Sequence, residues 1–239
     1  MGKRLSSAIA TAACLVSAAL SVVPAGAQDP FEEPRRTMVE QQLRRRGIRQ
    51  SELLHAMQMV PRHLFVPERV RGEAYVDEPL PLGPGEEALL QPYMTARMIE
   101  LLELDGTQKV LEVGTGSGYD AAVLSKLARE VYTIEINRRR GEEARKRLQS
   151  LGYANVHVRI GDGNQGWPEQ APFDAIILTA APEEPPPKLV EQLRVNGKMV
   201  VAVGGSPVQQ LSLLVKTRDG LQRRKIEPVR LAPMSSERE

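Results

Sequence analysis

Three glycines and two carboxylates hold the densest chemistry in this 239-residue sequence. Gly114, Gly116 and Gly118 alternate with Thr115 and Ser117, directly after the run Val110-Leu-Glu-Val113. Without side chains at alternate positions, the backbone can approach a ligand closely. A helix starting at Tyr119 would turn free N–H groups toward an anion such as a ligand carboxylate. Glu135 follows Gly114 by 21 positions and closes a second apolar run, Val131-Tyr-Thr-Ile134. A carboxylate there can accept both hydroxyl hydrogens of a ribose. Asp162 lies between Gly161 and Gly163 after a third run, Val156–Ile160. It can accept from the exocyclic amine of an adenine, and the glycines leave room for the ring. Each feature alone fits an ordinary turn or a solvated acid. At the ends of consecutive strands they describe an adenosine site.

The spacing G-x-G-x-G differs from the G-x-G-x-x-G that cradles a dinucleotide pyrophosphate. S-adenosylmethionine has no phosphate; it offers a carboxylate, an amine and a sulfonium, and the turn suits it better. The expected cofactor is therefore S-adenosylmethionine, bound at Gly114, Gly116, Gly118, Glu135 and Asp162.

These residues need a sheet to hold them. Short apolar runs at 110–113, 131–134, 156–160, 175–178 and 199–203 alternate with helical patterns at 119–128, 138–150 and 187–194. Two more strand-like runs follow at 209–217 and 224–232. Such alternation predicts an α/β fold, a doubly wound and mostly parallel seven-stranded sheet covered on both faces. Upstream, Met38, Val39, Leu43 and Ile48 recur at helical spacing, Ser51 stands as the cap of a second helix, and Gln91–Leu104 reads as a third. Residues 61–90 are rich in Pro and Gly and read as loop. Residues 37–104 thus form an N-terminal helical and loop region of a domain spanning 37–235. Residues 28–36 read as an extended leader and 236–239 as a polar tail.

Composition excludes several functions. The chain has 32 basic and 30 acidic residues. Lys3 and Arg4 are the only charges in residues 1–27, so the remainder balances at 30 against 30. That balance argues against a nucleic-acid partner. The basic runs at 44–46, 138–140 and 223–225 read as solvated faces. The one cysteine, Cys14, precedes the domain, and His55, His63 and His157 lack metal-ligand spacing; no metal is expected. A monomer is expected. Residues 1–27 combine a basic start, an apolar run to Val23, Pro24 and Ala25-Gly-Ala27, the pattern of a signal peptide with Gln28 as the new first residue. This predicts export, a periplasmic location for instance.

The sequence also resembles the protein-L-isoaspartate O-methyltransferase family over residues 37–235. The resemblance is carried by Val60-Pro-Arg62 with Phe65-Val-Pro67, Gln91-Pro-Tyr-Met94 and Leu111-Glu-Val-Gly-Thr-Gly-Ser-Gly-Tyr119. It continues through Gly161-Asp-Gly163, Gly166-Trp167, Ala171-Pro-Phe-Asp-Ala-Ile-Ile177, Thr179-Ala-Ala-Pro182 and Val229-Arg-Leu-Ala-Pro-Met234. It implies a class I methyltransferase fold and methylation of the α-carboxylate of isoaspartyl residues in damaged proteins, the ester then cyclising to a succinimide that can reopen to aspartate. The partner implied is an isoaspartyl protein or peptide, and most of the family is cytoplasmic. By position, the resemblance implies that Gly114, Thr115, Gly116, Ser117 and Gly118 line the methionine end of the cofactor, that Glu135 holds the ribose and Asp162 with Gly163 the adenine, and that Glu112 joins them as a cofactor-binding residue. Where the family carries Gly-x-Gly-Gln-Thr-Ile-Ser, this chain has Gly83-Pro-Gly-Glu-Glu-Ala-Leu-Leu90. Leu89 or Leu90 falls at the serine position, no catalytic side chain is identified, and Glu86 and Glu87 would repel an anion if they faced inward. Two alternatives follow from this loop, another carboxylate acceptor or an exported non-catalytic binder of an adenosine ligand.

Overall fold

The protein is described by a computed structural model over residues 29–83, 88–205 and 207–235. Residues 1–27, expected to be a signal peptide, Glu86 and Glu87, and the expected tail 236–239 lie outside the described residues.

Seven strands form the sheet: β1 (Lys109–Val113), β2 (Glu130–Glu135), β3 (Val156–Ile160), β4 (Phe173–Leu178), β5 (Leu193–Val203), β6 (Gln209–Thr217) and β7 (Gly220–Val229). They lie in the order 3-2-1-4-5-6-7. Strands β1 to β5 are mutually parallel, and β6 and β7 add antiparallel at one edge. The strand order reverses between β1 and β4, so a crevice opens beyond their carboxyl ends, where open α/β sheets bind ligands.

Strand sequences are apolar on both sides because both faces are covered. Val110, Val131, Ala175 and Val200 pack into one core with the helices α2 (Ser51–Met59), α3 (Pro92–Glu100), α4 (Tyr119–Leu124) and α5 (Arg138–Ser150). Leu111, Ile134, Ile176 and Met199 pack into a second core with Leu189 of α6 (Pro187–Gln192). The basic runs lie on surfaces except at Arg140: Arg139 pairs with Glu143 at 3.0 Å along α5 and Arg44 with Glu40 at 3.1 Å, whereas the Arg140 side chain is mostly buried against Glu135 and corrects the reading of 138–140 as a solvated face.

Several element boundaries differ from the sequence expectation. The leader expected to be extended over 28–36 is helical from Glu32 on, because α1 spans Glu32–Thr37. Pro34 sits in the first turn, where its missing N–H costs no helical bond. Ser51 is the first helical residue rather than the cap; Gln50 occupies that position without a side-chain capping bond, its amide donating instead to the Leu104 carbonyl at 2.7 Å. Helix α3 stops at Glu100, and α6 stops at Gln192 because Leu193 and Arg194 have already entered β5. Helix α4 ends at Leu124, short of 128, and the last strand is Gly220–Val229 rather than 224–232. The 61–90 loop holds two short 3-10 turns and a two-residue ladder pairing Leu80 with Leu89.

Candidate active site

The glycine turn is wedged between β4 and α5. Gly114 has φ +104°, and a Cβ on it would stand 2.3 Å from Thr179 Oγ1. The Thr179 hydroxyl is close because it donates to the Gly114 carbonyl at 2.9 Å. On the other side Arg147 of α5 donates to the Ser117 carbonyl at 2.8 Å. Gly116 differs from its neighbours: a Cβ there would meet nothing within 4 Å. The turn is thus fixed at both ends and bare in the middle.

Glu135 sits at the end of β2, nearly buried at 3% exposure. Its Oε2 accepts from Gly116 N–H at 2.9 Å and its Oε1 from Asn137 N–H at 3.0 Å. Arg140 Nη2 lies 3.2 Å from Oε1. Two strand ends and the turn are therefore tied through one carboxylate. A carboxylate offers about four acceptor positions, so Oε2 retains capacity for a ribose hydroxyl and Oε1 would share with Arg140. Gly114, Glu135, Gly163 and Met234 border one recess of about 30 Å³.

Asp162 caps the 3-10 turn Gly163–Gln165; its Oδ1 accepts from Asn164 N–H at 2.9 Å. It faces a neighbouring surface hollow that Met234 also borders. Gly163 has a packing reason beyond ligand room, since a Cβ would stand 2.3 Å from Val113 Cγ1. Gly161 instead meets only Arg159 Nε at 4.0 Å.

Glu112 and Gly118 require correction. Gly118, at φ +89°, begins α4 and packs against Leu148, where a Cβ would stand 3.1 Å away; it borders neither the recess nor the main cavity. Glu112 points to the α2–α5 side of the sheet and is fully buried. Its Oε2 accepts from the Thr133 hydroxyl at 2.5 Å, and Thr133 Oγ1 lies 2.7 Å from Thr115 Oγ1. The period of two along β1 decides this, since Val113 faces one core and Glu112 the other. Burial first, then the charges of Asp120 and Glu135, push the Glu112 carboxyl well above the usual range, against the Thr133 hydrogen bond. A raised carboxyl favours folding below its unfolded pKa and loses that contribution as pH climbs toward the folded value. Glu112→Gln should therefore make the fall in Tm between about pH 5 and about pH 8 shallower, leaving the part due to Asp120. An unchanged pH profile in calorimetry would contradict the buried, protonated state.

A cavity of about 180 Å³ opens on the other side of the turn. Gly114, Thr115, Gly116 and Ser117 form its floor; Leu82, Leu89 and Leu90 cover it. Both leucines at the serine position thus line the cavity, with Leu89 buried. Thr179, Asp120 and Arg230 complete the wall and were missed as site residues in the sequence. Thr179 and Arg230 lie inside recognisable stretches, so position after β4 and β7 was the available signal. Asp120 lies in the first turn of α4. Burial raises its carboxyl pKa, against a hydrogen bond from Thr95 and the positive charge of Arg62. Among the described residues Ser117 Oγ is buried without a hydrogen-bond partner, an orphan that a polar ligand would satisfy.

These residues fit S-adenosylmethionine: a bare backbone turn with an orphan hydroxyl on one side, and an acceptor carboxylate at a second strand end. Comparison with known proteins agrees. The family model for protein-L-isoaspartate(D-aspartate) O-methyltransferase matches residues 33–239. A protein-L-isoaspartate O-methyltransferase of Synechococcus sp. (strain JA-2-3B'a(2-13)) is 50% identical over 218 residues, 88% of this chain and 89% of the relative. A solved protein-L-isoaspartate O-methyltransferase superposes with TM-score 0.78 at 29% identity, over 84% of this chain and 66% of that longer one. A Plasmodium falciparum structure described as a putative member, in complex with S-adenosyl-L-homocysteine, shares the fold at TM-score 0.72 and 22% identity, over 85% of this chain and 99% of that one. The chain belongs to the protein-L-isoaspartate(D-aspartate) O-methyltransferase family.

Proposed function

We propose that the chain uses S-adenosylmethionine to methylate the α-carboxylate of L-isoaspartyl residues in damaged proteins, as an enzyme of protein repair. Family membership supplies the reaction. The observation that carries it to this chain is the glycine turn wired to Glu135 through the 2.9 Å bond from Gly116, beside a cavity roofed by leucines.

S-adenosylmethionine, when bound, supplies a methyl group activated by a positively charged sulfur. Gly114 to Ser117 would hold its methionine end, Glu135 the ribose, and Asp162 with Gly163 the adenine. The chain's own work is positioning and exclusion of water. A carboxylate acceptor is ionised at neutral pH, so no side chain has to remove a proton. Leu82, Leu89 and Leu90 strip water from an entering carboxylate and raise its reactivity, while the pinned turn fixes where it meets the methyl group.

Incubation with labelled S-adenosylmethionine should place base-labile label on an isoaspartyl peptide and none on its aspartyl isomer. Absence of base-labile label would contradict the proposal.

The enzyme is further proposed to be exported and to act as a monomer. The basic, apolar and small-residue order of residues 1–27 supports export, as does a family match that starts at residue 33. N-terminal sequencing from the producing cell should find Gln28. Retention of Met1 would favour the cytoplasmic alternative, and a dimeric mass in sedimentation would contradict the monomer.

A further inference from the structure

We infer that Arg230 receives the carboxylate of the acceptor and thereby makes a negative charge a requirement for entry into the methyl-transfer cavity. The inference rests on the carboxyl-methylation reading above and adds a specificity residue to it.

A carboxylate that moves under Leu82, Leu89 and Leu90 loses water, and this is costly unless donors or a positive charge replace it. The cavity offers few. Leucines donate nothing. The Thr179 hydroxyl is already close to the Val113 and Gly114 carbonyls, at 3.2 and 2.9 Å. Thr115 Oγ1 is engaged with Thr133. The Ser117 and Tyr119 hydroxyls remain, both buried without a hydrogen-bond partner among the described residues, together with Arg230, the one basic residue among the described residues lining the cavity.

Arg230 is well placed. It follows Val229, the last residue of β7, and the backbone on its far side is fixed twice. Leu231 N–H donates to Gln209 Oε1 at 3.0 Å, and the Ala232 carbonyl accepts from Ala181 N–H at 2.8 Å. The side chain is exposed, borders the cavity opposite the glycine turn, and forms no ion pair among the described residues. A guanidinium fork matches a carboxylate in two parallel hydrogen bonds, which an ammonium cannot reproduce. The acid in the same wall, Asp120, is buried, and its Oδ1 accepts from the Thr95 hydroxyl at 2.9 Å.

The test compares wild type, Arg230→Gln and Arg230→Lys. Binding of an isoaspartyl peptide is measured by fluorescence anisotropy with S-adenosylhomocysteine present, alongside kcat and KM. Arg230→Gln should weaken peptide binding and raise KM about 10- to 100-fold, with kcat, S-adenosylhomocysteine affinity and Tm unchanged. Arg230→Lys should recover part of the loss. A peptide with a carboxamide in place of the carboxylate should bind wild type and Arg230→Gln equally weakly. Equal isoaspartyl binding by wild type and Arg230→Gln overturns the inference, as does a loss that appears equally in S-adenosylhomocysteine affinity. The binding comparison is independent of turnover. A wild type that binds the peptide but forms no ester would sink the methylation reading alone; one that binds no peptide sinks both.

Discussion

Arg62→Ala is expected to destabilise the protein by about 3–5 kcal/mol, the cost of stripping a buried charged group from its partners. Arg62 is fully buried. Its Nε donates to the Ala74 carbonyl at 2.7 Å and its Nη2 to the Leu90 carbonyl at 2.6 Å, and its guanidinium stands 4.8 Å from the Tyr119 ring centroid. Burial lowers its pKa, but a guanidinium stays protonated, so the charge is retained inside the protein. The truncated variant leaves two carbonyls unpaired and a void beneath Tyr119. For a domain of this size the loss corresponds to a Tm lower by roughly 6–20 °C in calorimetry. Because Leu90 belongs to the cavity roof, peptide KM should rise more than cofactor affinity falls. A Tm within about 2 °C of wild type would mean that Arg62 does not hold the 61–90 segment in place.

Glu135→Ala should weaken S-adenosylmethionine binding by about 100-fold or more, from two lost hydrogen bonds to a charged acceptor at about 1.5–3 kcal/mol each. The variant removes more than a ribose contact. Gly116 N–H, Asn137 N–H and Arg140 all lose an acceptor, so the turn itself is loosened. Glu135→Gln separates the two effects. Its amide oxygen keeps one acceptor while the charge is lost and the amide nitrogen faces a backbone N–H, so affinity should fall less than in Glu135→Ala and Tm should lie between that variant and wild type. Calorimetric titration that found Glu135→Ala binding as tightly as wild type would remove Glu135 from the site.

The parallel sheet was legible because its strands are short, apolar on both faces and separated by helical patterns. Glu135 and Asp162 could be placed because a residue at the end of a parallel strand lands at the sheet's carboxyl edge whatever the loops do. Glu112 shows the limit of that logic. It lies one residue from Val113 and two from the turn, yet the pleat turns it away from the ligand. Arg230 and Thr179 were not found as site residues because they reach the cavity from β7 and β4. Those strands come beside the turn only when the sheet has formed. Gly163 carried a mixed signal: its missing side chain makes room for Val113 as well as for a ligand. The helix at Glu32–Thr37 was read as extended because Pro34 looks like a breaker, although a first-turn proline is tolerated.

The decisive measurement is where the methyl group lands. One peptide carrying an isoaspartyl residue together with aspartyl, glutamyl, lysyl and C-terminal groups is incubated with the full chain and S-adenosylmethionine, then fragmented in a mass spectrometer. A single methyl on the isoaspartyl α-carboxylate, removed by mild base, is the expected product; a methyl on nitrogen or on an ordinary carboxylate, or an unmodified peptide, would contradict the assignment.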